Sequence, residues 1–366
     1  MRETDVLIVG GGPAGLGAAI AARQNGLRVL VADSGLPPID KACGEGLMPD
    51  SLAALSALGV DLSEYETGRF LGIRFHHNGA TIEAEFPRGE GLGIRRLLLH
   101  QALVTRVEET GAECAWGVRV SRFAPGAALV QGEWVHYRWL VGADGNESRV
   151  RRWAGLDGGR RASKRLGLRQ HFGVQPWSPY VEIYWAEHAQ AYVTPVSAHE
   201  VCVAVISRDR ERSFDLTLFP ELASRLGGYS PTTPVRGALT WSRRLTHVAR
   251  GNVALIGEAS GSVDAITGEG LAIGFRQAAA LGKALACSDL RGYEVAHRRI
   301  MARPTFSSKA MLLMDRYPWA RRRVFAACHS HRDLFRRMLA LHVGDESLLA
   351  LNRNGILGVS AELLLA

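Results

Sequence analysis

At the head of this chain an apolar strand runs directly into a glycine-rich turn: Asp5-Val-Leu-Ile-Val-Gly10-Gly-Gly12-Pro13-Ala14-Gly15, followed by an alanine-rich segment. Few short patterns constrain a fold as tightly. Gly10 permits a tight turn, Gly12 lets the backbone approach a pyrophosphate, and Gly15 lets a helix lie close on the strand. The helix start offers unpaired N–H groups and the positive end of its dipole to phosphate. The flanking sequence supplies the rest of the pattern: a helix over 16–25, then Gly26, then a second strand over 27–32. That strand ends at Asp33, the spacing at which an acid takes up the ribose hydroxyls of a dinucleotide. The glycines alone would also serve an ordinary turn between strand and helix; with these flanks the dinucleotide reading is the stronger one.

With 366 residues, the chain is long enough for one large α/β domain with an inserted partner, or for two domains. A hydrophobic share of 47% allows a sizeable core. No stretch approaches the ~18 uninterrupted apolar residues of a membrane span, and the N-terminus enters its first strand without a signal-peptide pattern, so a cytoplasmic protein is expected. Five scattered cysteines with no C-x-x-C suit reduced thiols better than a disulfide framework or a zinc site. No histidine pair has metal-ligand spacing: His76-His77 falls near a turn, and His329 and His331 would not share a helix face. No metal is expected. The net charge of +8 comes largely from 301–342, which hold nine Lys/Arg against two Asp. No nucleic-acid-binding motif accompanies that charge, so no nucleic-acid partner is expected.

The order of elements reads as α/β segments flanking a β-rich block. A Pro- and Gly-punctuated loop over 36–50 precedes a helix at 51–58, and strands are expected at 70–75 and 81–86. A helix over 95–109 and a strand over 134–141 lead into Gly142-Ala-Asp144-Gly145. Alternation and β-branched content predict a meander at 166–174, 180–185, 190–195 and 201–206. A strand at 253–256 ends in Gly257-Glu258-Ala-Ser-Gly261, and a helix starts near Gly270. The expectation is a nucleotide domain with an inserted sheet domain.

Three segments now fit one pattern: Gly10–Gly15 with Asp33; Gly142-Ala-Asp144-Gly145 through Arg151; and Gly257-Glu258 through Thr267-Gly268-Glu269-Gly270-Leu271. In this order, over about 1–300, they resemble the FAD-dependent oxidoreductases that include para-hydroxybenzoate hydroxylase and geranylgeranyl reductase. The resemblance implies FAD as cofactor and NAD(P)H as a transient reductant, which needs no second glycine-rich unit. It implies a Rossmann-like, discontinuous parallel sheet of the glutathione-reductase type, an inserted antiparallel substrate sheet and a helical C-terminus. The FAD-binding domain would take 1–67, 91–165 and 246–300, the substrate domain 68–90 and 166–245, and the helical segment 301–366.

The resemblance also assigns residues. Asp144 would steady the dinucleotide site. Gly257-Glu258 stands where the family has Gly-Asp at the ribityl and phosphate groups, one methylene longer. Arg96 matches an arginine that supports FAD, with His100 in place of the family's Asp in that helix. The helix start at Gly268–Gly270 would face the pyrimidine edge of the flavin, where reduced flavin is anionic. Lys41-Ala-Cys43-Gly44-Glu-Gly46-Leu is similar to the loop of geranylgeranyl-reductase-like proteins whose cysteine lies beside the flavin. Gln190-Ala-Tyr192-Val-Thr194-Pro195 keeps only the proline of that subgroup's aromatic motif. Cys43, Gly268 and Gly270 are therefore the catalytic candidates; the plainer reading of Cys43 is a small buried residue. Trp177, Tyr180, Tyr184, Trp185 and Tyr192 are either pocket-lining or structural aromatics on the sheet.

Oxygenation of a lipophilic, aromatic or polyketide-like small molecule with O2 ranks first. C=C reduction of a prenyl or other lipophilic substrate ranks second, and a non-catalytic flavin sensor last. The basic amphipathic stretch 301–342 reads as a helical cap on the pocket or as a peripheral membrane contact.

Overall fold

The computed structural model describes residues 2–208 and 213–346, without the side chains of 160–162 and 332. The first strand, Arg2–Val9, runs parallel to Val29–Asp33 on one side and to Glu133–Gly142 on the other. Glu113–Trp116 and Val253–Leu255 extend the sheet outward, also in parallel. Both faces of the central strands are buried, which is why they read as unbroken apolar runs. Its strands are drawn from four separated stretches of chain. A short antiparallel extension, Val120–Ala124 and Ala127–Val130, leans on the long strand Glu133–Gly142.

The opening helix is Pro13–Gln24, starting on its proline, and it packs beside the long helix Gly270–Cys287. Helix Pro49–Ala57 likewise starts on a proline, and Arg96–Glu109 lies within a residue of its expected span.

A second sheet of seven strands runs in the order Arg236–Arg244, Arg160–Phe172, Val201–Ser207, Ala189–Pro195, Tyr180–Trp185, Gly72–His77, Ala80–Glu85. Its pairs are antiparallel except at one seam, where Tyr180–Trp185 runs parallel to Gly72–His77. Side chains alternate across it. Val181, Ile183 and Trp185 pack toward helices Leu290–Arg316, Pro318–Ser330 and Arg332–Val343. Tyr184, Val193, Val203 and Val205 pack on the opposite face against Phe219, Leu222 and Leu226, the last two on helix Pro220–Leu226. A small sheet of Gly46–Leu47, Gly91–Gly93 and Gly68–Phe70 joins the two layers.

The helical C-terminal expectation covers 301–366, of which 347–366 lie outside the described residues. His329 is on helix Pro318–Ser330, whereas His331 is the residue between it and the next helix, so the two do not share one helix. Among the described residues no helix is long and apolar enough to cross a membrane. All five cysteines are free.

Candidate functional site

Between the two sheets lies a cavity of about 710 Å³, and all three sequence motifs reach it. At one end the strand Arg2–Val9 delivers Gly10, Gly12, Pro13 and Ala14 to the wall. Gly15 does not line the cavity: a methyl there would fall 1.8 Å from the Gly10 carbonyl oxygen, so its part is close packing of helix on turn. Gly12 is the opposite case, since a methyl there would meet nothing within 4 Å and would project into open space.

Asp33, at the end of its strand, accepts the Gly11 N–H at 2.6 Å and the Gly35 N–H at 2.7 Å, which fixes its carboxylate at the rim. His100 is fully buried and bonds through Nε2 to the Gly11 carbonyl at 2.9 Å. Burial pushes its pKa down, so the ring is neutral and Nε2–H donates. An aspartate cannot give that hydrogen bond; the residue where this chain departs from the family helix thus braces the glycine turn.

Asp144 borders the cavity and caps the short helix Arg149–Trp153, accepting the N–H groups of Arg149 (2.6 Å) and Val150 (3.2 Å) and the Ser148 hydroxyl. It is a turn aspartate and a wall residue at once. Arg151, fully buried, ties the second motif to the third by donating to the Asn146 and Ala259 carbonyls. In the third motif, the extra methylene of Glu258 lets its carboxylate reach Lys41, 2.7 Å away. Both residues line the cavity, as do Gly257, Gly268, Glu269, Gly270 and Leu271. Helix Gly270–Cys287 begins there, and its first N–H groups have no partner within the helix. The Glu269 carboxyl is buried 3.8 Å from Arg303 and from His342, and burial pushes its pKa up.

The loop 41–46 forms the facing wall with Lys41, Cys43, Gly44, Glu45 and Gly46. Burial pushes the Cys43 thiol up in pKa, so it carries its proton. The buried Arg96 guanidinium also lines the cavity, and its Nε has no hydrogen-bond partner. Beyond this wall the cavity widens into an apolar chamber of Met48, Phe70, Ile73, Val181, Ile183 and Tyr192. Of the five candidate aromatics, Tyr192 alone borders it, its hydroxyl donating to the Ile266 carbonyl. Trp177 and Tyr184 instead bond Glu182 on the other face of the sheet, and Trp185 packs on Phe75. Below the chamber, Arg165 joins Asp264 and Asp315, at 2.7 Å from each, and Gln190 donates to Asp315.

Sequence reasoning did not single out Glu45 or His171 as functional. His171 Nε2 lies 2.6 Å from the Glu45 carboxylate, across 126 positions of chain. Glu45 was visible only as a member of the cysteine loop, and nothing local marks His171. The Cys202 thiol lies close by, the three donor atoms being within 4.8 Å of one another. The Arg169 guanidinium, 3.7 Å from the same carboxylate and 3.2 Å from the imidazole, already supplies a cation there. The group is a hydrogen-bonded cluster.

The wall residues fit FAD. Gly12 opens toward the space a pyrophosphate needs, Arg96 holds an unpaired buried donor, and Asp33 stands at the rim for ribose. Fold and cavity together define an FAD-dependent oxidoreductase. The chain belongs to the FAD binding domain family, whose model matches residues 3–293.

Among curated proteins it is 29% identical over 339 residues to a menaquinone reductase of Mycobacterium tuberculosis, covering 81% of this chain and 83% of that protein. It is 26% identical to digeranylgeranylglycerophospholipid reductase 1 of Methanothermobacter thermautotrophicus, covering 81% of each. It is also 26% identical to a ubiquinone hydroxylase of Rhodospirillum rubrum, covering 80% of this chain and 75% of that one. Among solved structures it is similar to p-nitrophenol 4-monooxygenase of Pseudomonas putida, with a TM-score of 0.78 and 20% identity over 93% of this chain and 97% of that one. A geranylgeranyl bacteriochlorophyll reductase-like protein of Thermoplasma acidophilum gives 0.71 and 21%, over 85% and 88%. These two structural likenesses speak for the fold alone.

Proposed function

We propose that this protein reduces a C=C bond of a lipophilic, prenylated small molecule, with NAD(P)H as transient reductant. The observation that carries the reading is the protonated Cys43 thiol on the wall between the cofactor end of the cavity and the apolar chamber. A reduction of this kind needs a hydride at one carbon and a proton at the other. The names of two relatives, reductases of menaquinone and of a digeranylgeranyl lipid, each matched over about four-fifths of this chain, support it.

When bound, FAD supplies hydride transfer. The chain's own residues supply the rest. The Gly10–Gly15 turn and its helix start hold the pyrophosphate, and Asp33 takes the ribose. Lys41, Arg96 and the helix start at Gly268–Gly270 set positive charge and N–H donors where negative charge gathers on reduction. Glu258 aligns Lys41. The chamber side chains exclude water and orient an apolar substrate, and Cys43 gives the proton.

Oxygenation of the same substrate class, ranked first from sequence, remains the second reading, favoured by the ubiquinone hydroxylase relative. No observation of the site favours the non-catalytic sensor, ranked last from sequence.

A role for the basic helices follows. Phe306, Leu313, Tyr317 and Trp319 are exposed, with Arg316 over the Tyr317 ring and Arg323 over Trp319. Aromatic and cationic side chains so interleaved suit peripheral contact with an anionic lipid surface that holds such a substrate.

The deciding experiment reduces the FAD-loaded protein with NADPH under anaerobic conditions, adds a short-chain menaquinone, and weighs the product. A gain of two hydrogens without O2 that survives reoxidation of the ring in air supports reduction of a C=C bond, and a gain lost on reoxidation is quinone-ring reduction and overturns it. A product formed only with O2 and carrying one oxygen from it overturns that reading in favour of oxygenation.

A further inference from the structure

We propose that Glu45 and His171 form an acid–base couple that carries protons between solvent and the cavity wall, with Thr233 as its outer end. This rests on the reading of the cavity as a flavin site whose reaction consumes a proton.

The inner end is Glu45, which borders the cavity although its side chain is almost fully buried. Its backbone stands at φ +60°, a left-handed conformation uncommon for a glutamate, between Gly44 and Gly46. Strain of this kind gathers at functional sites, where surrounding contacts hold it in place. One carboxylate oxygen accepts the Arg96 N–H at 3.0 Å; the other faces His171 Nε2 at 2.6 Å.

On its far side, His171 Nδ1 meets the Thr233 hydroxyl at 2.9 Å and Arg169 Nη1 at 3.2 Å. A guanidinium can only donate, so Nδ1 accepts and Nε2 carries the hydrogen aimed at Glu45. Thr233 is half-buried, on the connection that leads into strand Arg236–Arg244, and reaches solvent. The three side chains thus form an unbroken line of hydrogen bonds from cavity to surface.

The charges around this line are balanced. Arg169 pairs with Asp40 at 2.5 Å, and Arg236 pairs with the same carboxylate at 3.2 Å. Arg96 faces the couple from its helix, and the Cys43 and Cys202 thiols face it from the loop and from strand Val201–Ser207. Near the outer end, Thr232 donates to Glu200, which pairs with Arg95. With Arg169 held by Asp40, an added proton on Nδ1 displaces only the longer of its two contacts.

The step balances. The double bond gains a hydride at one carbon, both electrons coming from NAD(P)H by way of the cofactor, and a proton at the other from the acid at the wall. That acid, Cys43, regains its proton from Glu45 two residues along the loop, and Glu45 takes one from His171 Nε2. Nδ1 takes one from the Thr233 hydroxyl, which solvent replenishes.

The test uses the FAD-loaded full chain. Anaerobic reduction potentials measured from pH 5.5 to 9 count the protons taken up per two electrons. A pH-indicator dye follows their rate of uptake, and single turnover with a short-chain menaquinone gives the chemical rate. Glu45→Gln is expected to leave the equilibrium count intact, and to slow both dye-reported proton uptake and single turnover on the order of 100-fold. Thr233→Val is expected to leave the equilibrium count intact and slow proton uptake on the order of 10-fold. Unchanged proton-uptake kinetics in Glu45→Gln overturn the proposal. If Glu45→Gln fails to fold, unchanged uptake kinetics in Thr233→Val do so. If the wild type does not turn over the quinone, the assigned substrate falls, while the dye kinetics on reduction by NADPH still decide this proposal.

Discussion

The two ends of the cavity are built by different means. The nucleotide end is made of backbone: glycine turns, helix starts and an aspartate held by two N–H groups, each contained in a short run of sequence. The chamber end is made of side chains, and its polar groups are buried charges paired over long sequence distances, such as Arg165 with Asp264 and Asp315. The first recognises a fixed ligand through close approach, which tolerates almost no added atom. The second is held by electrostatic balance, which tolerates a change of shape better than a change of charge.

Removing a charge from the chamber should have the largest effect. Arg165→Met leaves Asp264 buried without its cation and Asp315 with Arg208 alone, 3.1 Å away, and should cost about 3–5 kcal/mol, read by urea unfolding. The triple change that also replaces both aspartates by asparagine should recover much of it. If Arg165→Met alone costs less than about 1 kcal/mol, electrostatic balance is the wrong description of this end.

An added atom should do comparable damage at the nucleotide end. Gly15→Val, with no space beside the Gly10 carbonyl, should weaken FAD binding on the order of 100-fold, measured by flavin fluorescence in equilibrium dialysis. A yellow protein of normal affinity would break the comparison.

Acid should separate the two regions next. His297, beside Ser260 in the third motif, is pushed down to about 4 by burial. Its folded pKa lies below its unfolded value of about 6.5, so the unfolded chain binds the extra proton and stability falls as pH drops through that window. The loss from pH 7.5 to 5 should be about 2 kcal/mol, and His297→Gln should remove it.

On the back of the chamber sheet Glu182 behaves oppositely. Burial alone would raise it, but His76 at 3.6 Å and hydrogen bonds from Tyr184 and Trp177 hold it down at about 2. Its contribution persists above the unfolded pKa and fades only as pH falls toward 2. Hydrogen exchange at pH 5 should therefore show the third-motif region loosened before the Tyr180–Trp185 strand.

The smallest effect belongs to the half-exposed Lys41–Glu258 pair. Lys41→Ala should weaken FAD binding by a factor of a few, with reduced sensitivity to salt, because exposed pairs contribute about 0.2–1 kcal/mol.

The same contrast explains what could be read in the sequence. Gly10 to Gly15, Asp33 and Asp144 announce themselves because the physics they serve is local: a turn, a strand end, a helix cap. Arg96 was legible through its helix, and its unpaired Nε accords with a role toward an anion. His100 was seen as a departure from the family pattern, but its bond to Gly11 was not, since that contact spans 89 positions. Glu45 with His171, and Arg165 with its two aspartates, carry no local signature, because strand pairing brings them together. For the sheet aromatics, alternation located the strands correctly but could not say which face meets the cavity. That depended on which neighbour Tyr180–Trp185 pairs with.

That pairing has a consequence for how the molecule comes into being. Strand Gly72–His77 emerges during synthesis more than a hundred residues ahead of its parallel partner Tyr180–Trp185. Until the later strand arrives, the earlier one can hold only its hairpin mate Ala80–Glu85, with one edge bare. Closing that edge requires a long loop of chain to be drawn shut, a slow event in folding. The chamber is thus completed late, over a strand that waits, and a nascent chain stalled between the two would expose an adhesive edge.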